Sequence, residues 1–448
     1  MALEAAVLAT GAKPLRNFVL KMASGATPSV VEFEKYYAEN IEAGGIPFIR
    51  VQNLSETGEL KLDDVKYINN DTHTGMLKRS QVDENDLVIK ITGVGRMAVA
   101  SVPPNGFTGN INQHSVVAKT ESREVSEYVA AFLNSDIGEK LASRRSTGGT
   151  RPALDYPALR SIPVVFDERI FQKAKEAREA KAEKEAQAAK LLESIDDYLL
   201  SELGITLPPE PDNTIENRTF KTTFTKVSGN RLDPFFNRPE LFESQLAVER
   251  GHFNTIRIRE VCSLVRGVTY SQMDECSIET DIRILRANNI DLLTNELDFS
   301  SIRFLRNDFR ISELNKLKRN DILMSIASGS KDHVGKVAFI ENDMPYYFGG
   351  FMAVLRMKQI QFSPKFLFYF LQSKAFRRVL FRHLGGTNIN NLNYSMISGI
   401  NLPHPDYSTQ LKLVEVLDSL KERYLTLKRE AKADFELAKK EIEKLILN

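Results

Sequence analysis

The sequence predicts an α+β protein in which one mixed α/β domain occurs twice and each copy is followed by a long helix. Three observations support this fold class. Short segments of the first half return in the second half at a spacing of about 240 residues. Apolar residues within each copy alternate with polar ones over strand-length stretches. A charged, helix-forming segment follows each copy.

The internal repeat consists of matching segments that follow one another in the same order. Residues 46–54 read IPFIRVQNL, and residues 282–290 read IRILRANNI. The later pairs are DLVI at 86–89 with DILM at 321–324, GRMA at 95–98 with GKVA at 335–338, and GGT at 148–150 with GGT at 385–387. Because one spacing holds across all of these pairs, the sequence indicates a duplication.

Each copy ends in a segment whose apolar residues step by threes and fours, as the seam of a coiled coil does. The first long segment becomes apolar toward its end, and the second carries an almost continuous heptad pattern. We expect the contact between the helices to include Leu191, Ile195, Leu199, Leu413, Leu417, Leu420, Tyr424, Leu427 and Ile442.

A stretch rich in Pro, Asn and Thr separates the two copies and predicts a linker. Its sequence from residue 204 begins GITLPPEPDNTIENRTF and holds too few apolar residues for a domain. The expected organisation is a first mixed α/β domain at 1–166, a long helix at 167–204, a linker at 205–254, a second mixed α/β domain at 255–405 and a second long helix at 406–448.

Composition excludes several classes of protein. No apolar stretch is long enough to span a bilayer, and the N-terminus reads poorly as a signal peptide, so we expect a cytoplasmic protein. Two cysteines without metal-ligand spacing argue against a zinc site and a disulfide framework. The 60 basic and 59 acidic residues leave a net charge of +1.

No catalytic motif is complete. Val102-Pro103-Pro104-Asn105 lacks the leading polar residue and the aromatic of an adenine methyltransferase loop. The segment from Gly329 to Lys336 is one residue too long for a phosphate-binding loop. His114 and His333 have no Cys, Asp or Glu nearby in sequence at ligand or triad spacing. We therefore expect a chain without an active site.

The duplicated architecture and several of its segments resemble the specificity subunits of Type I restriction–modification systems. The phrase from Gly45 to Leu54 is similar to an early strand motif of that family. The Gly-Thr loop at 148–150 and the exit at Ile162-Pro163-Val164 are similar to the end of its recognition domain. The resemblance covers nearly the whole chain, although the first copy lacks a counterpart of the stretch 231–236 ahead of it.

This resemblance implies two target-recognition domains, each reading one half of a bipartite and asymmetric DNA site. The two long helices would pair as an antiparallel coiled coil that sets the distance between the half-sites and docks two methylation subunits. Those subunits would hold S-adenosylmethionine, so this chain itself would bind no cofactor, and restriction subunits with nuclease and translocase activity would complete the assembly. Two alternatives stay open: a recognition subunit of a combined methylase–nuclease (Type II) system, and a coiled-coil adaptor that binds proteins rather than DNA.

Double-stranded DNA is read by Arg, Asn and Gln at base edges and held by Lys and Arg at phosphates. Such residues cluster around the Gly-Thr loops, after the strands that begin near Asp86 and Asp321, and in a polar run at 110–114. The resulting candidates in the first copy are Arg96, Asn110, Asn112, Gln113, His114, Arg144, Arg145, Thr150 and Arg151. Those in the second copy are Ser330, Lys331, His333, Lys336, Arg377, Arg378, Arg382, Thr387, Asn388 and Asn390.

Overall fold

The computed structural model describes residues 2–212, 214–224, 232–329, 333–384 and 390–447. The chain divides into two compact units. Unit 1 comprises Met1–Ala186 and Lys428–Asn448, and unit 2 comprises Gln187–Leu427. Each unit therefore contains one copy of the repeat together with parts of both long helices.

The helices and strands are numbered in chain order. The helices are α1 (Ala2–Ala9), α2 (Phe33–Tyr36), α3 (Asn70–Thr74), α4 (Arg123–Leu133), α5 (Asp136–Ser143), α6 (Tyr156–Arg160), α7 (Glu168–Glu202), α8 (Ile215–Arg218), α9 (Pro239–Glu249), α10 (Ile258–Val261), α11 (Pro364–Gln372), α12 (Lys374–His383), α13 (Tyr394–Ser398) and α14 (Tyr407–Leu447). The strands of unit 1 are β1 (Lys13–Pro14), β2 (Lys21–Ser24), β3 (Tyr37–Ala38), β4 (Ile46–Ile49), β5 (Lys66–Ile68), β6 (Gln81–Asp83), β7 (Leu87–Lys90), β8 (Ala100–Ser101), β9 (Thr108–Ile111), β10 (Ser115–Lys119) and β11 (Pro163–Val164). Those of unit 2 are β12 (Thr255–Arg257), β13 (Cys262–Arg266), β14 (Glu275–Cys276), β15 (Ile282–Leu285), β16 (Arg303–Leu305), β17 (Ile322–Ser325), β18 (Ala327–Ser328), β19 (Val337–Phe339), β20 (Tyr347–Phe348), β21 (Met352–Met357), β22 (Asn390–Asn391) and β23 (Asn401–Pro403).

The two units contain corresponding sheets. In unit 1 a four-stranded antiparallel sheet has the order β2-β10-β7-β8, and unit 2 contains β13-β21-β17-β19 in the corresponding order. A second sheet has the order β3-β5-β4-β9-β6 in unit 1 and β14-β16-β15-β20 in unit 2. Each second sheet includes one parallel pair, β4 with β9 and β15 with β20. The predicted α+β class and its duplication are confirmed.

The same local interactions form the corresponding turns of both copies. After β4, the side chain of Asn53 accepts from the backbone of Arg50 and donates to the carbonyls of residues 61 and 64. After β15, Asn289 accepts from Arg286 and donates to the carbonyls of residues 298 and 301. A buried asparagine thus satisfies the backbone of an otherwise irregular loop in each unit.

Each unit has its own hydrophobic core. In unit 1 the core lies between the four-stranded sheet and α4, α5 and α6, and its largest fully buried side chain is Phe132. In unit 2 the core is more aromatic, because α11 and α12 supply Phe366, Phe370 and Phe376. The cores fix the strand ends from which the loops of interest emerge.

The long helices run antiparallel within each unit. In unit 1, Lys173 of α7 pairs with Glu441 of α14 at 2.5 Å, and Lys184 pairs with Glu430 at 3.1 Å. In unit 2, Ala188 of α7 packs with residues 424 and 425 of α14. All nine residues expected at the helix contact are buried or half-buried.

The structure differs from the expected linker at residues 239–249. These residues form α9, whose Leu241 and Val248 are buried in unit 2. Buried Arg382 of α12 donates to the carbonyl of Phe236 at 2.9 Å and binds the side chain of Gln245. In unit 1 the corresponding arginine, Arg145, pairs with Glu4 of α1. A helix ahead of the first strand therefore belongs to both copies, and α1 is the counterpart of α9.

Candidate nucleic-acid interface

Three loop segments of unit 1 meet at the end of β7, and we name them A1 (92–97), B1 (112–114) and C1 (144–153). Buried Ile91 joins them, because its N–H donates to the carbonyl of His114 at 3.0 Å and its carbonyl accepts from Leu154 at 2.8 Å. The N–H of Gly93 donates to the carbonyl of Pro152 at 3.1 Å. Sequence analysis found candidate DNA-contacting residues in each of the three segments, and the fold brings these segments together.

Unit 2 repeats this arrangement in its described residues, with segments A2 (327–329 and 333–336), B2 (349–351) and C2 (382–384 and 390–391). The N–H of Ile326 donates to the carbonyl of Phe351 at 2.9 Å, and its carbonyl accepts from Leu392 at 2.8 Å. Segments A2 and C2 also pair through β18 and β22. The same backbone connections therefore hold two different sets of side chains.

A close approach of glycine fixes the B segment in each unit. A side chain on Gly25, just after β2, would collide with the carbonyl oxygens of residues 111 and 112. A side chain on Gly267, just after β13, would collide with the backbone of Gly349. Only glycine permits this contact, so the backbone of each B segment packs directly against the residue that follows β2 or β13.

The surface of segments B1 and C1 carries polar groups that the protein does not use. Gln113, Arg144, Thr150 and Arg151 are exposed, and His114 is half-buried. Across the described parts of the chain, the side chains of these five residues make no hydrogen bond or ion pair. Their donors and acceptors remain available to a ligand.

Four other candidates of unit 1 have internal partners. Arg96 binds Asp136 at 2.6 Å and also the carbonyls of Asn134 and Ser135. Asn110 is fully buried and donates to the carbonyl of Leu77, whereas buried Asn112 accepts from the N–H of His114 within its own loop. Arg145 contacts the carbonyl of Leu141, the hydroxyl of Ser161 and the carboxylate of Glu4.

The basic candidates of unit 2 that the structure describes also have internal partners. Lys336 is buried and donates to the carbonyl of Ile290 at 2.8 Å, and burial lowers its pKa. His333 lies 3.3 Å from the same ammonium group. Arg377 binds the carbonyl of Val334, while Arg378 binds the carbonyl of residue 208 and the carboxylate of residue 210. Arg378 and Arg382 thus hold the connector between the copies against α12.

Five further candidates fall within or between the described parts of A2 and C2. Ser330, Lys331, Thr387 and Asn388 lie outside the described residues, and Asn390 lies in β22.

Sequence analysis missed two apolar residues on these segments. Val94 of A1 is 79% exposed, and Phe351 of B2 is 72% exposed. Each lies close to a buried strand in the sequence, where an apolar residue ordinarily predicts core. The only available signal was the neighbouring glycines, Gly93 and Gly95 in one segment and Gly349 and Gly350 in the other.

Three features of the described residues concern metal binding, thiol chemistry and membranes. Within them, no cluster of three His, Cys, Asp or Glu side chains could hold a metal ion. Burial raises the pKa of the Cys262 thiol to about 12, which keeps it protonated and weakly nucleophilic at neutral pH. In the same part of the chain, no helix is both long and apolar enough to cross a membrane.

The chain is similar in sequence to specificity subunits of Type I restriction enzymes. Residues 251–436 match the model of the Type I restriction modification DNA specificity domain. The specificity subunit of the StySPI Type I restriction enzyme from Salmonella potsdam is 32% identical over 168 residues, which are 37% of this chain and 35% of that subunit. The MjaVIII specificity subunit from Methanocaldococcus jannaschii is 25% identical over 443 residues, which are 96% of this chain and 90% of that subunit.

Residues 251–436 are thus similar to a Type I restriction modification DNA specificity domain, and nearly the whole chain is similar to a Type I specificity subunit. The match to the StySPI subunit spans about a third of that relative's length. A solved specificity subunit from M. genitalium covers 97% of this chain and 95% of its own, with 12% sequence identity and a TM-score of 0.40. The similarity to Type I specificity subunits rests on the sequence matches. The matched residues include segments A2, B2 and C2.

Proposed function

We propose that this chain is the DNA-binding specificity subunit of a Type I restriction–modification complex and reads a bipartite, asymmetric site. The main support for the proposal is that, in each unit, three loop segments lie together at the end of one buried strand. A reader of DNA needs side chains that are free to bind base edges and are held in place by a rigid backbone. The exposed, unpaired side chains of B1 and C1 fit that requirement.

Asymmetry of the target is supported by the differences between the copies. His114 of B1 corresponds to Phe351 of B2, and the two occupy the same hydrogen-bonded backbone position. An imidazole ring can donate or accept a hydrogen bond, whereas a phenyl ring offers only an apolar surface. Two domains with such different chemistry at one position would prefer different half-sites.

The partners follow from the same proposal. The antiparallel helices would dock two methylation subunits, which would bind S-adenosylmethionine and modify adenine, and nuclease–translocase subunits would join them. This chain would itself be non-catalytic and would act in the cytoplasm. A net charge of +1 is low for a protein that grips DNA alone, so partner subunits would supply part of the contact with phosphates.

A map of modified adenines in the native host, with and without this gene, tests the proposal. We expect deletion to remove one asymmetric motif whose two parts are separated by a fixed gap. Reintroduction of the full chain should restore the same motif. The proposal fails if the map is unchanged and if co-expression with a methylation partner also produces no new motif; a protein-binding adaptor would then explain the duplicated domains better.

A further inference from the structure

Phe351 is an aromatic residue that the core does not use. Its side chain is 72% exposed, although both neighbouring strands, β20 and β21, are buried where they flank it. Within the described residues, no aromatic ring stacks on it. Single exposed apolar residues are common on protein surfaces, so exposure alone does not assign a role.

The backbone that presents Phe351 is unusually well fixed. Its carbonyl accepts from the N–H groups of Ile326 at 2.9 Å and Ala327 at 3.3 Å. The N–H of Met352 donates to the carbonyl of Gly349 at 2.8 Å, and Gly267 approaches the backbone of Gly349 closely. The backbone of Phe351 is therefore fixed where A2, B2 and C2 meet, and the exposed ring extends from this fixed position.

We propose that Phe351 reads a thymine in the half-site of unit 2 by contacting its 5-methyl group. Among the groups that base edges present in the major groove, that methyl is the apolar one. A phenyl ring held against base edges gains free energy only by covering it, since every other edge group would lose water without gaining a hydrogen bond. The inference rests on the proposed function and adds the chemistry of one recognised base.

Selection from two random duplex libraries tests the inference, one made with thymine and one with uracil in its place. Uracil keeps the hydrogen-bonding groups and lacks the methyl. The full chain with its methylation partner should enrich one bipartite motif from the thymine library. At one thymine of one half-site, the preference should fall roughly fourfold in the uracil library, which is the change expected for one buried methyl group.

The Phe351→Ala variant should lose the same preference and respond equally to both libraries at that position. Phe351→Leu retains an apolar side chain and should keep most of it. Ile360→Ala is the matched control, because Ile360 is 95% exposed and follows the opposite end of β21. This control should select the same motif as the unaltered chain.

The possible outcomes distinguish a failure of the thymine inference from a failure of the proposed function. If the unaltered chain enriches a motif but no thymine depends on both its methyl and Phe351, the inference is overturned and the proposed function stands. An effect of Phe351→Ala that is equal in both libraries also overturns it and indicates insertion of the ring between base pairs. If no motif is enriched at all, the proposed function fails, and the inference fails with it.

Discussion

At the scale of single residues, identical side chains that are adjacent in sequence have different environments. Arg144 and Arg145 both follow α5, yet Arg144 is exposed, whereas the guanidinium of Arg145 contacts Glu4 and Ser161. The helical rotation of about 100° per residue turns one side chain toward solvent and the next toward α1. Sequence reasoning could not separate them, because both have the same charge and the same neighbours.

We expect Arg144→Gln to weaken binding to all duplexes. An exposed arginine that contacts phosphate releases about one counterion, so the slope of log K against log salt should fall by about one unit. Fluorescence anisotropy over a series of salt concentrations measures this slope. Arg160→Gln, at the exposed end of α6, is the control and should leave the slope unchanged. A slope that is also unchanged for Arg144→Gln would remove this residue from the interface.

Lys421 of α14 gives a prediction about pH. Its ammonium group donates to the carbonyl of Thr294 at 2.6 Å, and burial lowers its pKa to about 8, opposed by nearby Glu296 and Asp291. In the unfolded chain the pKa is about 10.4. Between pH 8 and pH 10.4 the lysine is protonated in the unfolded state but not in the folded state, so the free energy of unfolding must rise with pH. Below pH 8 the lysine is protonated in both states, and the free-energy cost of the buried charge is constant.

We therefore expect the unfolding free energy of the wild type, minus that of Lys421→Met, to be flat below pH 8. It should then rise by up to about 3 kcal/mol toward pH 10.4. Urea unfolding at several pH values measures the difference. Lys412→Met alters an exposed lysine of the same helix and controls for the general loss of a surface charge. A difference that does not vary with pH contradicts the prediction.

At the scale of elements, α14 combines a buried face with an exposed one. Leu417 is fully buried, whereas Leu411, less than two turns earlier, is 46% exposed. The heptad pattern predicted the buried face, and burial of Leu413, Leu417 and Tyr424 agrees with it. The exposed leucine lies off that face and outside the heptad pattern.

Leu417→Ala should lower the unfolding free energy of unit 2 by about 3 kcal/mol, because it removes buried methyl groups and leaves a cavity. Leu411→Ala changes the same residue type on the exposed side of the same helix and should cost less than about 0.5 kcal/mol. Chemical denaturation of the two variants compares them directly. Equal losses of stability would contradict the burial of Leu417 in the core.

At the scale of the whole molecule, the duplication allows the loop surfaces of the two units to vary independently. The hydrogen bonds of Ile91 and Ile326 are the same, but the exposed side chains around them are not. Gln113 of B1 corresponds to Gly350 of B2, and His114 corresponds to Phe351. A change in one unit should therefore affect only one part of a bipartite target.

We expect Gln113→Ala to relax base preference at one or two neighbouring positions within one half-site. The other half-site and the gap should stay as they are, since a glutamine that binds adenine affects only the base pair it touches. A map of modified adenines in cells carrying this variant gives both halves at once. Changes in both halves, or a changed gap, would contradict independent reading by the two units.

The sequence by itself determined the duplication, the α+β class and the two long helices, because repeat spacing and apolar periodicity are properties of the chain alone. It also indicated the segments of the candidate interface, since glycine, arginine and asparagine mark loops that can bind DNA. It did not distinguish Arg144 from Arg145, and it treated α9 as linker because eleven residues of mixed polarity carry a weak periodic signal.

Only the tertiary structure decided which of the candidate side chains remain free. The sequence does not distinguish four basic residues from exposed ones: Arg96, Arg145, Lys336 and Arg382. In the structure, each of these side chains binds a carbonyl or carboxylate oxygen that is distant in the sequence. Phe351 is the opposite case, because its position between two buried strands predicts burial, yet its side chain is exposed. Hydrogen bonds from Ile326 and Ala327 hold its backbone where the loop segments meet. Partners distant in the chain, which periodicity cannot encode, determine whether a side chain supports the fold or faces a ligand.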